Sequence, residues 1–255
     1  MLTDPYTIYA VQYASRQAKS NEVFYGDFHD SPLPMAYFVW VITNPSRTVV
    51  VDLGFTIESG RKRGRQMGRP IDQGLRLLDV DPAAIEHVVL THFHYDHVGN
   101  YTLFPRAKFW IQDEEMRIFT GRYVRFYPYN QLAEADDICA LVRLNYDGRL
   151  RFVDGDKEVW PGISVHKVGG HAPGLQVVRV WTRRGYAVVA SDAVHYYRNL
   201  EAHIPFYLTH HVGQAQDAFD RVMELVDEPG LVFPGHDPSV LDRFEHVQDG
   251  IVRLG

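Results

Sequence analysis

The stretch Thr91-His92-Phe93-His94-Tyr95-Asp96-His97 concentrates three imidazoles and one carboxylate within six residues. It follows His87–Leu90, an apolar run that predicts a buried strand, so the polar cluster begins where a strand ends. In extended backbone the two alternating histidines point to one face, whereas the aspartate and the last histidine fall in the turn beyond it. One metal ion rarely needs four ligands from so short a segment. The spacing therefore predicts two adjacent metal sites.

Three more candidate ligands lie downstream, each at or just beyond the end of an apolar run. They are His171, Asp192 and His236. The carboxyl ends of strands are where α/β folds tend to build sites. With the first cluster they make five histidines and two aspartates, a set that suits two metal ions with one bridging carboxylate. Imidazole and carboxylate ligands favour zinc (two Zn²⁺ here), with manganese, iron or cobalt as alternatives.

The alternative interpretation is that these histidines have ordinary structural roles. The chain has 13 histidines, and a lone histidine is more often a surface or hydrogen-bonded core residue than a ligand. The cluster differs because four titratable groups placed after a buried strand are costly unless they are paired or bound to metal. The three downstream candidates are supported by it, since two metals need further ligands.

The pattern His92-x-His94-x-Asp96-His97, then His171, Asp192 and His236, resembles the metallo-β-lactamase superfamily. Val49–Gly54 is similar to that family's first strand-turn motif, whose aspartate (here Asp52) supports the metal loop without binding metal. The resemblance runs from about Tyr6 to His236 and implies an α/β fold, an αββα sandwich of two mixed sheets flanked by helices. The implied ligand sets are His92, His94 and His171 for one metal and Asp96, His97 and His236 for the other, with Asp192 bridging. Asp96 is further implied to carry a proton to the leaving group.

Composition agrees with one domain over residues 1–255, because 45% hydrophobic content can fill one substantial core. A net charge of −6 gives no reason to expect nucleic acid as a partner. The densest basic stretch, Arg61–Arg65, is predicted to be a solvated loop or helix face. Cys139 lies in an apolar context and is predicted to be buried, without a catalytic role.

The amino terminus lacks the charged and long apolar regions of a signal peptide. The longest apolar run, Met35–Ile42, is too short to span a bilayer. A cytoplasmic enzyme without a membrane partner is therefore expected.

Periodicity and turn signals predict a coarse order of elements. Asp81 is predicted to cap a helix that has Pro82 in its first turn. The predicted strands are Thr7–Gln12, Met35–Ile42, Thr48–Val51, Lys108–Ile111, Ile163–Val168, Leu175–Thr182, Tyr186–Ser191 and Leu231–Phe233. The predicted helices are Pro70–Leu78, Pro82–Glu86, one beginning near Asp113, Asn130–Leu144 and Gln214–Val226.

Within the superfamily, the chain most resembles the N-acyl homoserine lactonases, which degrade quorum-sensing signals. Ligand spacings, length and the phrase Pro234–Pro238 carry this resemblance. Penicillin-hydrolysing members usually lack the bridging aspartate. Glyoxalase II enzymes add a helical domain that holds glutathione, and with 19 residues after His236 such a domain is not expected here. Members that process RNA carry an insertion that grips tRNA, and no stretch of this chain is basic enough to suggest one. Members linked to flavin alter the first motif, which is intact in this chain.

One departure concerns the residue that touches the substrate. The lactonases commonly have a tyrosine three residues after the bridging aspartate, where its hydroxyl contacts the lactone carbonyl. This chain has His195 there, followed by Tyr196. Either His195 donates to the oxyanion, or Tyr196 reaches the site through a shifted loop, or His195 merely packs nearby.

Three aromatic segments are candidates for the substrate pocket or for ordinary packing: Val23–His29, His203–Leu208 and Tyr123–Tyr129. The last is also a candidate subunit contact, which makes a homodimer a reasonable expectation. Arg125 and Arg198 could bind a substrate carboxylate, although solvent exposure is the stronger expectation for both.

The prediction for function is a dinuclear metal-dependent hydrolase that opens the lactone ring of a small molecule. Hydrolysis of another ester, a thioester or a cyclic amide is the alternative within the same chemistry. A sensor that binds metal without turnover would be expected to have a broken ligand set. An iron-dependent oxygenase would be expected to keep one metal and to consume oxygen.

Overall fold

A computed structural model describes residues 4–255. In this part of the chain two β-sheets pack face to face, and helices cover their outer faces. The larger sheet has the order β13-β14-β1-β2-β3-β5-β6-β7, with the short β4 paired to β1. Its strands are β1 (Thr7–Lys19), β2 (Pro32–Asn44), β3 (Arg47–Val51), β4 (Gln66–Met67), β5 (His87–Val89), β6 (Lys108–Gln112), β7 (Leu150–Val153), β13 (Glu245–Gln248) and β14 (Ile251–Arg253).

The smaller sheet has the order β12-β11-β10-β9-β8. Its strands are β8 (Lys157–Trp160), β9 (Ile163–Lys167), β10 (Gln176–Thr182), β11 (Gly185–Ser191) and β12 (Val232–Pro234). The α-helices are α1 (Ile57–Lys62), α2 (Ile71–Arg76), α3 (Tyr95–Val98), α4 (Asp113–Phe119), α5 (Tyr129–Leu132), α6 (Ala135–Tyr146), α7 (Tyr197–Ala202), α8 (Val212–Leu225) and α9 (Ser239–Arg243).

Strand β2 shows how the layers form. Its side chains alternate between two apolar clusters, because successive residues of a strand point to opposite faces. Tyr37 and Val39 join the cluster beneath the helices of the larger sheet, whereas Phe38 and Trp40 join the cluster between the two sheets. A third cluster packs α8 against the smaller sheet. The predicted αββα sandwich is thereby confirmed.

Strand direction brings the loops of the two sheets together. Strand β3 runs parallel to β5, and β11 runs parallel to β12. Neighbouring parallel strands end at the same edge, so the segments that follow them meet there. All the candidate ligands are carried by segments that follow β5, β9, β11 and β12.

The strands expected from sequence are present, several with longer ends, and the Asp81 side chain caps Pro82–Ala84, a 3₁₀ turn and not an α-helix. The prediction of one helix over Asn130–Leu144 is wrong. Extended dihedral angles at Ala133 and Glu134 separate α5 from α6. The Glu134 carboxylate accepts hydrogen bonds from three side chains of α1 and its C-terminal cap, and this tertiary contact outweighs helix propensity.

Cys139 is exposed, so the prediction of a buried thiol is also wrong. It lies on α6 between buried Ile138 and Ala140, on the side of the helix that faces away from the core. Across residues 4–255, every helix falls short of the length and apolarity that crossing a bilayer requires. The single domain over residues 1–255 stays a prediction.

Gly99, which ends α3, provides a test of how closely this helix packs on Gly54 and Phe55, which follow β3. A methyl group there would lie 2.9 Å from the Gly54 carbonyl oxygen and 3.0 Å from Phe55 Cα. We expect Gly99→Ala to lower the free energy of unfolding by about 1–3 kcal/mol, measured by urea unfolding. Gly68→Ala is the matched control, because its methyl would meet only the Tyr13 carbonyl at 3.9 Å. Equal stability of the two variants would contradict this packing.

Candidate metal centre

The candidate centre lies at the shared edge of the two sheets. The loop after β5 leads into α3 and carries the first four candidates, and the loops after β9, β11 and β12 carry one each. All seven side chains are buried. They are His92, His94, Asp96, His97, His171, Asp192 and His236.

The seven residues form two groups around Asp192. Donor atoms of His92, His94, His171 and Asp192 lie within 4.8 Å of one another, and so do donor atoms of Asp96, His97 and His236. The two oxygens of Asp192 face different groups. Its Oδ2 lies 3.3 Å from His171 Nε2 and 3.8 Å from His92 Nε2, whereas its Oδ1 lies 3.3 Å from His97 Nε2 and 3.1 Å from His236 Nε2. One carboxylate is thus placed between both groups.

The imidazoles are oriented as metal ligands are. The Nε2 atoms of His92 and His97 are buried and have no hydrogen-bond partner in residues 4–255. Their opposite nitrogens are held: His97 Nδ1 lies 2.7 Å from Asp52 Oδ2, and His92 Nδ1 lies 3.1 Å from Thr91 Oγ1. His236 Nδ1 is 2.8 Å from the Ala36 carbonyl oxygen. Anchoring one ring nitrogen fixes the tautomer and leaves the other free for a metal, so these residues fit a divalent ion.

Electrostatics favours cations at the same place. Burial and neighbouring imidazoles hold the pKa of His92 and His171 well below the usual value, and burial lowers that of His94 to about 4. These rings are therefore neutral, as metal ligation requires. Burial also acts to lower the pKa of His97, but the carboxylates around it outweigh burial and raise it well above normal. Several carboxylates enclosed together need positive charge to balance them.

Asp52 connects the two halves of the centre. It follows β3 with a φ of +62° and is fully buried. Its carboxylate accepts hydrogen bonds from Thr91 N at 2.7 Å, Thr91 Oγ1 at 2.8 Å and Ser191 Oγ at 3.2 Å, besides its contact with His97. Ser191 directly precedes Asp192 and itself has a positive φ of 45°. One carboxylate thereby fixes the metal loop of one sheet against the end of β11 in the other.

Glu115 is a second buried brace, and sequence reasoning missed it. It lies on α4, where the run Asp113–Glu115 indicated only the start of a helix. Its two oxygens accept hydrogen bonds from Phe93 N at 2.8 Å and Gly174 N at 2.7 Å. The first lies between two motif histidines and the second lies in the loop after His171. Glu115 therefore ties these two ligand-bearing loops together.

A cavity of about 390 Å³ opens above the centre. Asp96, His171, Asp192 and His236 form part of its lining, together with His94. The aromatic segment His203–Leu208 contributes a wall through its last three residues. An adjoining chamber of about 160 Å³ is lined by Phe119, Tyr129, Leu132 and Leu208, and it shares His94 and His171 with the main cavity.

The two candidates for contact with the substrate differ in placement. His195 lines the cavity, with its Nε2 3.0 Å from Asp192 Oδ2 and its ring stacked on Phe206 at 3.7 Å between centroids. The Tyr196 hydroxyl instead donates to the Pro34 carbonyl at 2.8 Å, and this side chain is not among those lining the cavity. The loop is therefore not shifted toward the site, and Tyr196 is not brought to it.

The other two aromatic segments lie mostly outside the main cavity. Within Val23–His29, Phe24 is buried in the core and Phe28 is exposed. Tyr129 reaches the adjoining chamber, but Tyr127 projects into solvent. Arg125 lies over the ring of Phe126 and Arg198 over that of Phe24, and neither lines the cavity.

Several cavity residues gave no signal in the sequence. Their segments are far apart along the chain, and no motif marks them. They are Arg16, Glu22, Met35, Tyr37, Arg65 and Leu132. The expectation of a solvated basic stretch holds for Arg61 and Lys62, which are exposed. It does not hold for Arg65, which is half-buried at the cavity.

Glu115 predicts a pH dependence of stability. Burial raises its pKa from the usual 4.5 to about 7, so the folded chain binds its proton more tightly than the unfolded chain does. This contribution is complete below pH 4.5 and is lost as the pH rises through 7. We expect the free energy of unfolding, measured with chelator at pH 5 and pH 8, to fall by about 2.5 kcal/mol more in the wild type than in Glu115→Gln. Equal falls in the two proteins would contradict a raised pKa.

Comparison with known proteins agrees with this geometry. The family model of the metallo-beta-lactamase superfamily matches residues 33–236. An N-acyl homoserine lactonase of Bacillus cereus is 30% identical over 165 residues, which span 64% of this chain and 60% of that protein. The chain thus covers less than two thirds of that relative. The N-acyl homoserine lactonase AttM of Azorhizobium caulinodans is 26% identical over 93% of this chain and 95% of its own length.

Solved structures show the same fold. A quorum-quenching N-acyl homoserine lactone lactonase superposes with a TM-score of 0.81 at 20% identity, covering 97% of this chain and 98% of that one. AidC, a dizinc quorum-quenching lactonase, gives 0.71 at 16% identity, covering 93% and 90%. Because the match to the family model includes every candidate ligand and most of both sheets, this chain belongs to the metallo-beta-lactamase superfamily.

Proposed function

We propose that this chain is a hydrolase that opens a lactone ring with two divalent metal ions, zinc being the ion its ligands favour. The observation that carries the proposal is the position of Asp192, whose two oxygens face separate histidine groups beneath one cavity. His92, His94 and His171 would hold one ion, and Asp96, His97 and His236 the other, with Asp192 between them. The curated relatives named above are N-acyl homoserine lactonases, which supports a lactone as substrate.

When bound, such ions supply a hydroxide nucleophile at neutral pH and polarise the carbonyl under attack. Asp96 has two proposed roles, as a metal ligand and as a proton donor. Asp96 lines the cavity with its carboxylate 3.7 Å from His97 Nε2 and 3.9 Å from His236 Nε2, where it can also deliver a proton to the departing ring oxygen.

His195 is the proposed hydrogen-bond donor to the carbonyl oxygen of the substrate. It is buried, lines the cavity and is held flat against Phe206, so its ring has a fixed orientation. One of its ring nitrogens also lies within 4.8 Å of donor atoms of Asp192 and His236, close to the proposed reacting centre. A preorganised donor at that position would stabilise the developing oxyanion. Tyr196, already bonded to Pro34, is not proposed for this role.

The cavity limits the substrate to a small molecule. A main volume of about 390 Å³ accommodates a lactone with a substituent, and the adjoining chamber of about 160 Å³ offers an apolar wall for an acyl chain or a ring. An N-acyl homoserine lactone or a related lactone fits this description. Hydrolysis of another ester, a thioester or a cyclic amide in small-molecule catabolism is the alternative, because the same metals and donors would serve it.

Replacement of Asp192 tests the bridging arrangement. In Asp192→Asn one oxygen becomes an amide donor, so we expect both metal ions to be lost or bound at least tenfold more weakly. Metal content after dialysis, measured by inductively coupled plasma mass spectrometry, gives the result. Asp227→Asn is a control that changes a carboxylate bonded to Tyr186 N, away from the centre. Retention of one ion at normal affinity would count against bridging.

Activity is tested by proton release from a panel of substrates. The panel holds short- and long-chain N-acyl homoserine lactones, a simple γ-lactone, an aryl ester and a thioester. We expect turnover of lactones and a loss of about a hundredfold or more in Asp96→Asn, since a positioned acid contributes roughly 10²–10⁴-fold. Turnover of the aryl ester or thioester alone would favour the alternative. No turnover of any substrate by protein that contains two metal ions would contradict lactone hydrolysis.

A further inference from the structure

The cavity wall contains an arginine that forms no ion pair with a carboxylate in residues 4–255. Arg65 follows α1 and lines the main cavity together with Asp96 and His195. Of its five N–H groups, Nε donates to the Tyr95 hydroxyl at 3.0 Å and one hydrogen of Nη1 donates to the Arg63 carbonyl at 3.0 Å. The other three have no acceptor in residues 4–255, and no carboxylate oxygen there lies within 4.0 Å of this guanidinium.

The neighbouring cationic groups differ in this respect. Arg16, the other arginine of the cavity, forms an ion pair with Glu22, which is also a lining residue. Arg63 is paired with Glu134 at 2.8 Å. The two remaining lining carboxylates, Asp96 and Asp192, belong to the proposed metal sites. With the ions bound, Arg65 is therefore a positive charge on the cavity wall without a partner from the described chain.

The position of Arg65 is fixed in advance. Its Nε is bonded to Tyr95, and that ring is stacked against Phe55 and covered by the Arg63 guanidinium 4.0 Å from its centroid. Tyr95 lies within the metal motif, between His94 and Asp96. The guanidinium is therefore held at a constant offset from the reacting centre. A guanidinium held in this way can bind a carboxylate through parallel N–H···O bonds.

We propose that the substrate carries a carboxylate, bound by Arg65 while the lactone ring lies over the metals. The proposal rests on the lactonase function and narrows it to lactones with an anionic substituent. The adjoining chamber has no lysine or arginine among its lining residues, so the anionic group belongs in the main cavity. A carboxylate paired with Arg65 would make the site selective for anionic lactones over neutral ones, because a neutral analogue leaves the guanidinium without a partner charge.

The test uses matched pairs of lactones with the metal-loaded protein. Each pair is a γ-butyrolactone with a carboxylate on the ring or at the end of a one- to four-carbon chain, and the corresponding primary amide. We expect at least one carboxylate to exceed its amide in kcat/KM by about tenfold to a hundredfold, mainly through KM. Arg65→Gln should abolish this preference, and Arg65→Lys should restore part of it. Arg61→Gln, an exposed change in the same basic stretch, should leave it intact.

A binding measurement separates this proposal from the proposed activity. The affinity of the metal-loaded protein for the γ-lactam counterparts of the same pairs is measured by calorimetry, and any lactam that the protein cleaves is compared by its KM instead. Tighter binding of a lactam carboxylate that depends on Arg65 supports the anion site, even if no lactone is turned over and lactone hydrolysis fails. Hydrolysis of lactones without preference for the carboxylates would leave the lactonase in place and overturn the anion site. Equal binding of lactam carboxylates and amides would overturn it as well.

Discussion

The buried carboxylate of Asp52 is the interaction on which the rest of the centre depends. It accepts hydrogen bonds from the metal loop through Thr91 and His97 and from the end of β11 through Ser191. A fully buried carboxylate is tolerated only when its lone pairs are filled, and here those partners come from both sheets. The two sheets are thus fixed against each other at the edge where the ligands lie. Glu115 repeats the principle on the other side, between the metal loop and the loop after His171.

Several charged groups buried together destabilise the centre unless positive charge balances them. Asp52, Asp96 and Asp192 lie close together in a buried cluster, and burial and neighbouring imidazoles lower the pKa of His92 and His171, which keeps both rings neutral. The pKa of His97 is raised because nearby carboxylates attract a positive charge. Divalent ions satisfy the same demand with fixed geometry, so metal binding and stability of this edge are linked. This edge of the structure therefore needs cations, and the positions of the candidate ligands determine where they would bind.

In the proposed function, the residues for the reaction and the residues for substrate selection come from different parts of the molecule. The floor of the cavity consists of the candidate ligands, which lie in short loops that follow strands of the superfamily fold. The walls come from segments far apart in the chain, including Arg65 after α1 and Phe206 after α7. Because one fold can carry different sites, the proposed substrate of this chain depends on wall residues such as Arg65 and His195.

The fold class, the order of most strands and the residues around Asp192 could all be predicted from the sequence. The sequence allows this because these features are local. A buried strand has a short apolar run, and a ligand-bearing loop follows it directly, so both are visible within a few residues. It did not separate α5 from α6, because a bond network to Glu134 from α1 makes that break.

The different placements of His195 and Tyr196, the position of Arg65 and the bracing by Glu115 became visible only in the folded chain. Each depends on a partner distant along the chain: Tyr196 on Pro34, Arg65 on Tyr95 and Glu115 on Gly174. A basic run, an acidic run and a pair of aromatic residues look like ordinary surface or helix patterns until those partners are known. The physical reason is that burial and hydrogen bonding between remote segments, which set the role of a polar side chain, leave no periodic trace in the sequence.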